Sequence, residues 1–86
     1  MKPLTASALG TMLRDVASSL EAAKDEKATR LAARPLRRYF LQFQGWPLAT
    51  RWTATQQVLN HPVYRTITSR FGDKIVKWLQ DALQGA

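Results

Sequence analysis

An all-α fold, a compact bundle of four to five short helices over residues 1–86, is predicted by three observations. Apolar residues recur at intervals of three and four, Pro and Gly punctuate the chain where those stripes lapse, and no useful length of chain alternates with period two. The β-branched run Thr66-Ile67-Thr68 is the one place with strand character.

The first helix rests on Leu9, Met12, Leu13, Val16 and Leu20, with Ala6, Ala8, Ala17, Ala22 and Ala23 as strong helix formers around them. Thr5 or Ser7 supplies its N-cap oxygen. Its end has two solutions, because Lys24-Asp25-Glu26-Lys27 interrupts the stripe without a Gly or Pro. Either the helix turns near Asp25 or it continues through a solvated stretch to about Ala33. Pro35 predicts the next boundary: it lacks a backbone donor and disfavours helical geometry at Arg34, so one helix ends there and another starts with Pro35 in its first turn. Leu36, Tyr39, Phe40 and Phe43 then fall at i, i+3, i+4 and i+7, a short aromatic-faced helix closed by Gly45.

Trp46-Pro47 reads as a connector, followed by a third helix with Leu48, Trp52, Thr55 and Leu59 inward and a stop at Asn60-His61-Pro62. A fourth runs from Pro62 with Val63, Tyr64, Ile67 and Phe71 inward and closes at Gly72. Asp73 then caps a last helix carrying Ile75, Val76, Leu79, Ala82 and Leu83. Internal repeats, low-complexity tracts and Ser/Gly linkers are missing, so the whole chain reads as a single helical domain.

With 45% hydrophobic and 22% charged residues in 86, the composition is that of an ordinary globular domain. A fold of this size buries only about 60% of the surface its unfolded chain exposes, which leaves little reserve for cavities or strain. The chain has no cysteine, which excludes disulfides and thiolate metal sites and fits a reducing, cytoplasmic setting. Ser7, Gly10, Thr11 and Arg14 interrupt any signal-peptide core at the N-terminus, and no stretch is long and apolar enough to span a bilayer.

Thirteen Lys and Arg against six Asp and Glu give a net charge of +7, unevenly spread. Residues 1–23 are neutral (Lys2 and Arg14 against Asp15 and Glu21), 24–51 carry +5 (seven cations less Asp25 and Glu26) and 52–86 carry +2 (four cations less Asp73 and Asp81). Localised positive charge favours polyanionic partners through steering and counterion release. On one ideal helix Lys27, Arg30, Arg34, Arg37 and Arg38 fall within an arc of roughly 100°, opposite Ala32, Leu36, Tyr39, Phe40 and Phe43. Arginine outnumbers lysine there, and its planar fork of donors matches phosphate. The same pattern also describes the solvated face of an amphipathic helix, with Asp25 and Glu26 available for ion pairs. Leu41, in the middle of the cationic arc, is out of place on a bare surface and marks that face as a contact.

Aromatics beside cations are the means by which single strands are stacked, but Tyr39, Phe40 and Phe43 sit at core spacing in a domain that needs bulk inside. Trp46 and Trp52 are less constrained, and Trp78 lies off the last helix's main stripe beside Lys74 and Lys77. Trp46 and Trp78 are therefore the choices for exposed aromatic contacts. Residues 58–71 share with a helix-turn-helix unit a second helix bearing cations and small hydroxyls, but Asn60-His61-Pro62 lacks the usual Gly and the spacing is short.

Catalysis has no constellation to support it. His61, the lone imidazole, precedes a proline in a turn and reads as a capping or solvated residue, and the chain shows no glycine-rich phosphate loop, no cysteine nucleophile and no clustered His and carboxylates. Neither a cofactor nor a metal is expected, nor enzyme activity.

Two functions remain from different classes. The first is a small basic protein or accessory domain that holds DNA or RNA by its phosphates. Arg30, Arg34, Arg37 and Arg38 position the backbone and Lys27, Arg51, Lys74 and Lys77 extend the patch, with no base-specific code. The second is an adaptor or inhibitor that docks a protein through the basic face or through the uncharged, Ala- and Leu-rich first helix, which also suits self-association. A membrane-surface role ranks last, because the aromatics of residues 36–43 are needed inside.

Overall fold

The computed structural model describes residues 3–84, less the side chains of Asp73 and Lys74. The helices are α1 (Ala6–Ala22), α2 (Glu26–Gln42), α3 (Leu48–Leu59) and α4 (Pro62–Leu83), with a 3-10 turn at Phe43–Gly45 between α2 and α3. All four helices and that turn contribute to one hydrophobic core, so the fold is an all-α bundle as its periodicity requires. No helix of the described residues is long and apolar enough to cross a membrane.

Local chemistry explains where the first two helices start. The Thr5 hydroxyl accepts a hydrogen bond from the Ala8 N–H at 3.2 Å, and the Asp25 carboxylate accepts from the Ala28 N–H at 2.7 Å. The backbone leaves helical geometry at Ala23 and is extended at Asp25, so the chain turns at Asp25 and the longer first helix does not form. The turn needs no glycine because an N-cap carboxylate satisfies the donors of the new helix.

Pro35 does not begin a helix. It lies inside α2, which runs unbroken from Glu26 to Gln42. Ala33 and Leu36 on either side of it are fully buried together with Phe40, and packing along that shared stripe outweighs the lost backbone donor of an exposed proline. Gly72 likewise does not end a helix, and no new one starts at Asp73. Tyr64 and Ile67 before Gly72, and Ile75, Leu79 and Ala82 after it, keep one continuous buried stripe along α4. The strand character of Thr66-Ile67-Thr68 is absorbed into that helix. His61 is the N-cap of α4: its Nδ1 accepts from the Val63 N–H at 3.1 Å, with Pro62 in the first turn, where a missing donor is harmless.

The centre of the bundle is aromatic. Tyr39 meets Phe43 edge-on with ring centres 4.9 Å apart, Phe40 meets Phe43 at 5.6 Å and Tyr64 at 6.3 Å, and Phe43 stacks on Trp46 at 4.8 Å. Trp46 is only 9% exposed and also meets Tyr39 edge-on. The reading of Trp46 as an exposed contact is corrected: the 3-10 turn folds the chain back so that its ring closes the end of the core. The Leu4 N–H donates to the Tyr39 hydroxyl at 3.1 Å, which ties the N-terminal segment to the same cluster.

The roll of α3 departs most from expectation. Ala54 and Val58 face the core, while Leu48 is 79% exposed, Trp52 66% and Leu59 36%. The aromatic side chains of α2, the turn and α4 already fill the interior, so α3 approaches it with its smaller residues and its large ones point away.

Candidate nucleic-acid interface

The outer face of α2 carries the arginine cluster, and the structure divides that cluster into three parts. Lys27, Arg34 and Arg38 are exposed, and among the described residues none has a carboxylate within ion-pairing distance. On the helix they fall within about 40° of one another and extend over roughly 16 Å of its axis. Arg30 is paired: its guanidinium donates to the Glu26 carboxylate one turn back at 2.9 Å. Both partners are largely solvated, so the pair holds the side chain only weakly.

Arg37 belongs to the bundle. It is half-buried, with its guanidinium carbon 4.8 Å from the centre of the Trp78 ring, and its Nε is buried without a hydrogen-bond partner. A cation over an indole face is worth about 0.5–2 kcal/mol depending on desolvation. Arg37 therefore fastens α2 to α4, and Trp78, half-buried under it, does not offer that face for stacking. Of the two aromatics expected to be exposed, Trp78 is thus half-buried with one ring face covered, whereas Trp46 is buried.

The outlying cations are scattered over other elements. Arg51 is half-buried on α3 and Lys77 is exposed on α4, one residue from the point where Arg37 reaches that helix. The Lys74 side chain lies outside the described residues. Arg70 pairs with Glu21 across α4 and α1, which removes one cation of the helix-turn-helix reading from service.

Leu41 is half-buried and packs against the core, so it is not the surface clue it resembles in the sequence. Leu31 is. It stands 56% exposed between Lys27 and Arg34, lining with them a shallow depression that Glu26 and Arg30 complete. Helical projection places Leu31 beside Lys27 and Arg38, a signal present in the sequence but outweighed there by Leu41, which falls nearer the centre of the arc.

A wider electrostatic fact accompanies this face. From Lys27 to Gly72 the chain contains no Asp or Glu and eight cations: Lys27, Arg30, Arg34, Arg37, Arg38, Arg51, Arg65 and Arg70. Positive potential over that half of the chain is offset only by acids reaching in from outside it, as Glu26 and Glu21 do. No family model matches the chain, and no curated protein or solved structure matches it.

Proposed function

We infer that this protein binds nucleic acid through its phosphate backbone, with the outer face of α2 as the contact and without enzymatic activity, cofactor or metal. The observation that carries the reading is the row Lys27, Arg34 and Arg38, exposed, aligned and unpaired among the described residues, within a stretch of chain that has no carboxylate. The two arginines present guanidinium forks about one helical turn apart, and Lys27 adds a point charge further along the same face. Arg30 joins them by exchanging Glu26 for a phosphate, a change that a solvated surface pair permits at little free-energy cost. Contacts of this kind position a strand and carry no sequence code. A cytoplasmic location belongs to the same proposal.

The basic face also suits an acidic protein, which keeps a protein-docking function as the alternative. The first helix is less suited to that role than its composition implies: Leu9, Leu13, Val16 and Leu20 are buried within this chain's own core.

The test compares two charge-matched double variants in oligonucleotide titrations over a range of salt. Replacing Arg34 and Arg38 with Ala is expected to weaken binding for every sequence and to make the slope of log affinity against log salt shallower by roughly 1.5–2. Replacing Arg14 and Arg65 with Ala is expected to do much less. Unchanged affinity in the first variant, or equal losses in both, overturns the assignment of the α2 face.

A further inference from the structure

The outward face of α3 carries three exposed large apolar side chains, Leu48, Trp52 and Leu59, in one row with the half-buried Thr55. Leu48, Trp52, Thr55 and Leu59 are spaced by four, three and four residues, which places them within about 60° of one another around the helix and over roughly 16 Å of its axis. Four-three-four is the interval of a heptad seam, the pattern by which one helix receives another. Leu48 and Trp52 are among the most exposed large apolar side chains of the molecule, and Ala54 and Val58, on another side of α3, are the residues that hold it to the core. A row of this length is more than scattered surface leucine, and exposed apolar rows mark interaction sites.

Charge decides between the possible occupants. α3 has no Asp or Glu, Arg51 borders the row, and the chain around it is free of carboxylates from Lys27 to Gly72. A second copy seated antiparallel on this row would bring Arg51 toward Arg51 and set two chains of +7 against each other, with no acid on either seam to relieve it. A helix with leucine-type residues at the same interval and Asp or Glu along its edges meets neither obstacle. Its apolar residues cover Leu48, Trp52 and Leu59, and its carboxylates lie against Arg51.

We propose that α3 is a docking site for an acidic amphipathic helix of a protein partner, with Trp52 as its central anchor. The site is built on different residues from the α2 face and does not depend on nucleic-acid binding. Trp is the side chain most enriched among residues that dominate interface energy, and Trp52 has Leu48 and Leu59 on either side to exclude water from it.

The test uses a labelled helical peptide of about three heptads with Leu in the seam and Glu at the flanking positions, and a counterpart with Lys in place of Glu. Fluorescence anisotropy is expected to show the Glu peptide binding the natural protein and the Lys peptide failing to bind. The double variant Leu48→Gln/Trp52→Gln keeps good helix formers at solvated positions and is expected to bind the Glu peptide about thirty-fold more weakly. Arg51→Glu, which leaves the apolar row intact, is expected to move preference toward the Lys peptide. The proposal is overturned if the Glu peptide does not bind, or binds the double variant equally well. It is also overturned if the double variant dissolves a dimer seen by sedimentation, abolishes binding to phosphatidylserine vesicles, or weakens oligonucleotide binding. Those three results assign the row to a second copy, a bilayer or nucleobases.

Discussion

Arg37 and Arg38 are adjacent in sequence and do opposite things. One step around α2 turns Arg37 toward α4, where its charge lies over Trp78, and leaves Arg38 in solvent beside Arg34 and Lys27. The difference matters for any binding experiment, because removing Arg37 disturbs packing between two helices as well as charge. Tyr64 illustrates burial at the same scale. It is 4% exposed against Phe40, and burial pushes its hydroxyl above the ordinary 10.0 by penalising the phenolate. Well below pH 10 both folded and unfolded chains keep that proton, and Tyr64 adds no pH dependence there. As pH rises through 10.0 toward the raised folded value, the unfolded chain ionises first, so stability is expected to fall. Urea unfolding at about pH 9 and about pH 11 measures this, and Tyr64→Phe is expected to reduce the difference between the two midpoints.

At the scale of the element, breakers were overruled wherever a buried stripe continued across them. Pro35 and Gly72 both sit in mid-helix, and each is flanked by residues that are fully buried at helical spacing. Tertiary packing supplies most helix stability in proteins, so one poor residue on a solvated or half-solvated position does not divide the helix. It does lower its stability. A Cβ built on Gly72 meets nothing within 4 Å, so Gly72→Ala is expected to stabilise the protein by about 0.5–1 kcal/mol, read as a higher urea midpoint with an unchanged slope. A loss of stability would mean that α4 relies on bending there. Asp25 shows the converse, since a cap with no breaker beside it ended one helix and started the next.

For the whole molecule the governing quantity is a charge of +7 on 86 residues, more than half of it cation-rich and acid-free. Self-repulsion opposes folding and attraction to phosphate favours binding, and dissolved salt screens both. Raising salt between roughly 50 and 200 mM is therefore expected to increase thermal stability while weakening oligonucleotide binding. Parallel melting and gel-shift series check this, and a melting temperature that fell with salt would contradict it.

The helical class, the aromatic core of Tyr39, Phe40 and Phe43, the first helix and the cationic arc on α2 were all legible in the amino-acid order. Each depends on spacing along one helix, and a period of 3.6 residues converts sequence directly into faces. Three other features needed the folded chain. Trp46 became core because a 3-10 turn brought it back onto Phe43, Arg37 left the basic face because Trp78 arrived from 41 residues away, and α3 rolled its larger apolar residues outward. In each case the outcome was set by which space the other helices had already filled. Periodicity ranks the faces of a helix, but it does not measure the room left for them, and α3 had two faces to offer, of which the smaller fitted.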